Sequence, residues 1–168
     1  LYALLIWLAP QLSRRTIWAA VIGLHVVFLF APPLLSQDIF SYIAYARLGV
    51  EHGLNPYAFR PFDIPGDPVF PFAGSKDAVD VYGPYFTLFT YPLAWVGVPV
   101  AFWFLKVIAA AASVGLVLLV RSIAERIGAD SARAIAIVGL SPATLVHVVG
   151  GGHNEALTML IVFAGVAF

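Results

Sequence analysis

The sequence has 168 residues, of which 61% are hydrophobic and 11% charged, with a formal net charge of zero and a mean hydropathy of +0.93. A water-soluble domain carries about 25% charged residues, so this chain is not built to be surrounded by water. Zero net charge leaves no basic surface for nucleic acid, and the absence of cysteine excludes disulfides, thiolate catalysis and Cys-ligated zinc.

In chain order, residues 1–9 read as the end of one helix, too short to span a bilayer, which takes about 20 apolar residues. Residues 10–15 (PQLSRR) form a short basic connection. Residues 16–35 are an apolar run of spanning length, broken near its far end by Pro32 and Pro33. The composition then changes. Asp38, Glu51, Asp63, Asp67, Asp77 and Asp80 face only Arg47, Arg60 and Lys76 before residue 81, and five prolines make the middle of the stretch irregular. Residues 36–97 are therefore expected as one long loop carrying interfacial helices, one of them within residues 82–95. A second span is expected at 98–120, a polar connection at 121–133 and a third span at 134–149, kinked at Pro142. A glycine-rich turn at 150–154 then leads into the start of another span at 155–168. Both ends are apolar, which reads as a stretch of a longer protein without a signal peptide.

Short loops rich in Lys and Arg stay in the cytoplasm. Arg14 and Arg15 mark one such loop, and Arg121, Arg126 and Arg133 mark another. One span leaves the first and one returns to the second, so the acidic loop is expected on the extracytoplasmic side, and the same parity places residues 150–155 there. Trp18, Trp95 and Trp103 fall where an aromatic belt is expected. The fold class is thus an all-α polytopic membrane protein.

Residues 36–52 (SQDIFSYIAYARLGVEH) have helical periodicity. At 3.6 residues per turn, Asp38, Tyr42, Tyr45, Gly49 and His52 form one stripe and Ile39, Ile43, Ala46 and Val50 another. The pattern predicts an amphipathic helix lying along the membrane surface. A tyrosine face suits a sugar ring, because the aromatic plane packs on C–H groups while the hydroxyl hydrogen-bonds. A carboxylate beside it has the chemistry to accept a proton from a sugar hydroxyl. A purely structural account is equally available: Ser36 as N-cap, Asp38 favoured by the helix dipole, and tyrosines at home at an interface.

The second polar cluster is GGGHNE, residues 150–155. The glycines allow a sharp reversal. Asn154 and Glu155 suit the start of the next helix, or, with His153, they contact a phosphosugar: His153 at the phosphate and Asn154 at a hydroxyl. Within the spans, His25 is expected to face a bundle interior. Lys106 lies near an outer end, where it either snorkels to the surface or binds the phosphate of a lipid substrate. Arg47, Arg60 and Lys76 either meet such a phosphate or balance the loop acids.

Four segments in order, SQDIFSY at 36–42, GLNPY at 53–57, VYGP at 81–84 and GHNEAL at 152–157, carry a resemblance. The chain resembles the actinobacterial polyprenol-phosphomannose-dependent α-1,6-mannosyltransferases of the GT-C superfamily of integral membrane glycosyltransferases. The likeness implies a GT-C-like multi-helix fold whose first large outer loop bears the catalytic acid, here Asp38. It also implies that Asn55, Tyr57 and Tyr82 belong to a substrate site with Tyr42, Tyr45, Arg47, Lys106, His153, Asn154 and Glu155. It further implies a polyprenyl-phosphate sugar donor, a glycolipid or lipoglycan acceptor, and a place in the bacterial plasma membrane. Many GT-C enzymes pair two acids at this point. Here Ile39 and Phe40 follow Asp38, so a divalent metal lacks its DxD support. Rival readings are a transporter or flippase of lipid-linked sugars, a structural membrane subunit, and an enzyme using another lipid-linked sugar such as arabinofuranose.

Overall fold

The computed structural model describes residues 1–167, and no β-strand occurs among them. Helix α1 (Tyr2–Leu8) runs into a 3-10 turn at Ala9–Gln11 and is followed by α2 (Arg14–Phe30), α3 (Asp38–Val50) and α4 (Pro84–Thr90). A 3-10 turn at Tyr91–Trp95 precedes α5 (Val98–Arg126) and α6 (Ser131–Gly139). A π-helical stretch at Ala143–Val149 then leads to α7 (Glu155–Ala167).

The boundaries have local causes. Ser13 Oγ accepts the Thr16 N–H at 3.1 Å and starts α2. Pro32, which has no N–H, ends it at Phe30, earlier than the apolar run to residue 35 suggests. Asp130 caps α6 by accepting the Arg133 N–H at 2.9 Å. With α5 continuing to Arg126, the expected connection at 121–133 shrinks to residues 127–130. The kink expected at Pro142 is present as a 46° bend between α6 and the π-helical stretch. Among the described residues one helix, α5, is long and apolar enough to cross a membrane, and the bent pair makes a second if taken as one span.

The chain divides into two compact units, residues 36–105 and the remainder. In the unit formed by residues 1–35 and the chain from Lys106 onward, α2 packs on α6 and on the π-helical stretch around Ile17, Val21, Val117, Ile135 and Leu140. Its polarity is inside out. His25, Lys106 and Ser113 are buried, while Val26, Val27, Val107, Leu118 and Ile161 face outward. His25 Nδ1 donates to the Val21 carbonyl at 2.8 Å, and its Nε2 lies 2.9 Å from Ser113 Oγ, so its interior placement is as expected.

The unit of residues 36–105 is built around α3, and here the expected arrangement is corrected. Both stripes of α3 are buried through its middle turns, with Ile39 and Ile43 inaccessible and Tyr42 and Tyr45 nearly so, while Asp38, Gly49 and Val50 are half-buried and His52, past the helix end, is exposed. The helix is a core element, not one lying on a surface. Helix α4 and the Tyr91–Trp95 turn pack against it, and the irregular segment between covers the rest. Tyrosine makes this possible, because each ring is apolar and only the hydroxyl needs a partner.

Candidate active site

Asp38 opens α3. Ser36 Oγ accepts the Asp38 N–H at 3.0 Å, so the hydroxyl serves the helix start while the carboxylate sits half-buried in the first turn. Behind it stands an aromatic cluster. Tyr42 meets Tyr82 edge-on at 4.7 Å and Phe86 at 4.9 Å. The Tyr45 hydroxyl donates to the Ala78 carbonyl at 3.2 Å. Burial first, then the negative fields of Asp80, Tyr82 and Asp38, push the Tyr45 pKa up to about 12, so this hydroxyl keeps its proton.

Two further carboxylates are fixed in place. Asp80 accepts from Thr87 Oγ1 at 2.7 Å and from the Tyr82 N–H at 2.8 Å, and burial raises its pKa. The Tyr57 hydroxyl lies 3.0 Å from the Tyr82 carbonyl and 2.9 Å from Thr87 Oγ1, and Asn55 Oδ1 accepts the Tyr57 N–H. These contacts tie GLNPY to VYGP. Asp67, with its side chain 1% exposed, receives Arg47 Nε at 2.9 and 3.0 Å, His52 Nε2 at 2.8 Å and the Val69 N–H at 2.9 Å. Arg47 also donates to the Ala94 carbonyl at 2.9 Å. Burial pushes the Asp67 pKa upward, but the bonds from Arg47, His52 and Val69 outweigh it and hold the carboxyl below its usual range.

A pH dependence follows. Asp67 has a folded-state pKa below its unfolded value, so its stabilisation is complete above about pH 4 and is lost as the pH falls through the folded value. Protease resistance of residues 51–80 should therefore drop in acid, and Asp67→Asn should be protease-sensitive already at neutral pH. Equal resistance of variant and wild type would exclude this role.

The remaining candidates lie in the other unit. Lys106 is fully buried and donates to the carbonyls of Phe28 and Ala31 at 2.9 Å each and of Gly150 at 2.7 Å. Its ammonium is turned inward onto these carbonyls and does not snorkel to the surface. The cause is Pro32: the Phe28 carbonyl would accept its N–H, and proline has none. Gly152 has φ +69° and makes the reversal after the π-helical stretch, and a Cβ on Gly151 would stand 2.4 Å from His153 Cδ2. His153 Nδ1 is 3.4 Å from Glu155 Oε2, His147 Nε2 is 3.9 Å from Glu155 Oε1, and the two imidazoles lie with centroids 3.9 Å apart, tilted by 35°. Asn154 presents its backbone carbonyl, which accepts the Thr158 N–H at 3.0 Å as α7 begins.

The structure thus gathers Asp38, Tyr42, Tyr45, Asn55, Tyr57 and Tyr82 in one unit, and Lys106, His153, Asn154 and Glu155 in the other. Arg47 and Lys106 each have protein partners here: Asp67 and the Ala94 carbonyl for Arg47, and three backbone carbonyls for Lys106. Sequence reasoning passed over two cavities. A cleft of about 520 Å³ is lined by Arg60, Asp63 and Asp77 with Phe59, Val79 and Val81, and Asp38 is not among its lining residues. A groove of about 410 Å³ is lined by Phe40, Pro68, Phe72, Pro99, Phe102 and Trp103. The dense prolines and aromatics of residues 56–72 were the available signal for both.

These features define an all-helical chain with an inside-out helical unit and a compact aromatic unit opened by a half-buried carboxylate. The chain belongs to the alpha-(1->6)-mannopyranosyltransferase family: the family model described as "Alpha-(1->6)-mannopyranosyltransferase, N-terminal domain" matches residues 2–168. It is 30% identical over 166 residues to alpha-(1->6)-mannopyranosyltransferase A of Mycobacterium tuberculosis, covering 95% of this chain and 32% of that protein. It is 28% identical over 162 residues to the protein of the same name from Corynebacterium glutamicum, covering 92% of this chain and 31% of that one. A probable alpha-(1->6)-mannopyranosyltransferase of Mycolicibacterium smegmatis is 30% identical over 169 residues, with 94% and 29% covered. The chain therefore spans about a third of the length of these relatives. No solved structure gives a significant match.

Proposed function

We propose that this protein is a membrane glycosyltransferase that moves mannose from a polyprenyl-phosphate-mannose donor to a hydroxyl of a cell-envelope lipoglycan, with inversion, at the extracytoplasmic face of the bacterial plasma membrane. The observation that carries the reading is Asp38: in a chain of this family, it is a half-buried carboxylate at the mouth of a helix whose other faces are closed. The acceptor oxygen attacks the anomeric carbon as its proton passes to Asp38. The bond from that carbon to the phosphate oxygen breaks on the opposite face, and polyprenyl phosphate leaves with the electron pair. The half-buried rings of Tyr82 and Phe86, packed edge-on against buried Tyr42, supply aromatic surface of the kind on which a sugar ring packs.

A lipid-borne donor is supported by the aromatic groove, whose Phe40 stacks between Phe72 and Phe102 at 5.4 and 5.3 Å and lies two residues from Asp38. Multiple membrane crossings are supported by the outward Val26, Val27, Val107 and Leu118 around buried Lys106 and Ser113, an arrangement that suits hydrocarbon and not water. The deciding assay supplies membranes containing the intact protein with radiolabelled polyprenyl-phosphomannose or, separately, with a nucleotide-linked mannose. Transfer from the first alone is the expected result. Transfer from the nucleotide sugar after the endogenous lipid carrier has been depleted would overturn the donor assignment, and inactivity with both would overturn the enzyme.

A further inference from the structure

We propose that His147, His153 and Glu155 form a binding site for one divalent transition-metal ion of the zinc type. One ligand atom from each residue lies within 4.8 Å of the other two. Two imidazoles and a carboxylate are a donor set that Zn2+ takes up, leaving a fourth position open to water or an anionic oxygen. Ligand atoms sharing a tetrahedral ion on bonds of about 2.0–2.1 Å stand ~3.3 Å apart. Glu155 Oε2 lies 3.4 Å from His153 Nδ1 and Oε1 lies 3.9 Å from His147 Nε2, close enough for an ion to draw the three side chains together. The two Glu155 oxygens point to different imidazoles, so the carboxylate bridges toward the gap between them.

Two features of the backbone serve this arrangement. His147 sits on a π-helical stretch, a rare conformation that concentrates at functional sites. Pro142 and the wide π turn set the face that His147 presents, and the His153 N–H donates back to the Val148 carbonyl at 3.0 Å. Gly151 is held to glycine by the His153 ring itself, since a Cβ there would collide with Cδ2 and lie 2.9 Å from Nε2. The turn is thus shaped around one imidazole. Access is also right: the His153 side chain is 3% exposed and anchors the site, while His147 and Glu155, at 42% and 50%, leave an ion a way in and room to close the remaining gap. The site rests on no DxD, and it stands or falls independently of the mannosyl donor.

The test uses the intact protein, purified in detergent without a polyhistidine tag and stripped with a chelator. Titration with Zn2+ by calorimetry should give one saturable site, and Co2+ should develop the visible bands of a low-symmetry, nitrogen- and oxygen-ligated ion. Losing a supporting contact to a metal ligand costs about 10–100-fold in affinity, so removal of a direct ligand in His147→Gln or Glu155→Gln should cost on the order of 100-fold. Both side chains are half-exposed, so these variants should fold, which an unchanged melting temperature of the stripped protein would verify. His52→Gln, in the other unit, should leave affinity unchanged. No saturable site in the wild type, or equal affinity in the His147 and Glu155 variants, would overturn the proposal.

Discussion

Asp38→Asn should reduce mannosyl transfer by about 10²–10⁴-fold, the range that a positioned general base contributes, with little change in donor KM. The substitution is nearly isosteric, and its structural cost should be small. The first helical N–H is served by the Ser36 hydroxyl, which remains. What the fold loses is a favourable charge at the helix start, about 0.3–1 kcal/mol. Stability and turnover are therefore separable at this residue. The measurement is label transfer from polyprenyl-phosphomannose by membranes carrying equal amounts of variant and wild type. Turnover within about tenfold of wild type would move the base elsewhere.

The alternatives are already narrowed by what the other carboxylates do. Asp67 is held by a guanidinium, an imidazole and an amide, and Asp80 by a hydroxyl and an amide, so neither is placed to receive a proton from a mobile acceptor. Asp63 Oδ2 accepts the Arg60 N–H at 2.9 Å. Asp63 and Asp77 line the larger cleft and remain the acids through which a sugar acceptor would be held if it docks there. Substituting either one should raise the acceptor KM more than it lowers kcat, the reverse of the Asp38 pattern.

Helix α3, the kink at Pro142 and the turn at residues 150–154 were legible because each is written in neighbouring residues: a 3.6-residue period, a missing N–H, a run of glycines. The side of α3 that would meet solvent was not legible. Two of the five residues in its polar stripe are tyrosines, and a tyrosine satisfies burial and exposure equally well until its hydroxyl partner is known. That partner, the Ala78 carbonyl, is 33 residues away from Tyr45. Arg47 posed the same difficulty, since Asp67 lies 20 residues downstream in a stretch with five prolines and no period to read. The nearness of His147 to His153 and Glu155 was not legible either, because the π-helical stretch that carries His147 leaves no mark in the sequence. Only the π-helical turn brings His147 round.

Three backbone carbonyls converge on the Lys106 ammonium, and its replacement by methionine should be strongly destabilising. The volume is conserved, but three carbonyls lose their donor, two half-buried ones at the end of α2 and the buried one at Gly150. Each buried acceptor left unsatisfied costs about 1–3 kcal/mol, so even with partial relaxation the loss should reach on the order of 3 kcal/mol. For a stretch of this length that corresponds to a fall in Tm of about 6–12 °C, readable by thermal unfolding in detergent. A phosphate-binding lysine would behave differently: Lys106→Met would then raise the donor KM and leave Tm where it was. Lys106→Arg separates the two further. A guanidinium keeps the charge that a phosphate needs, but its planar fork is too large for a fully enclosed site shaped by three convergent carbonyls. The arginine variant should therefore melt early as well, and whatever folded protein remains should bind donor with a normal KM.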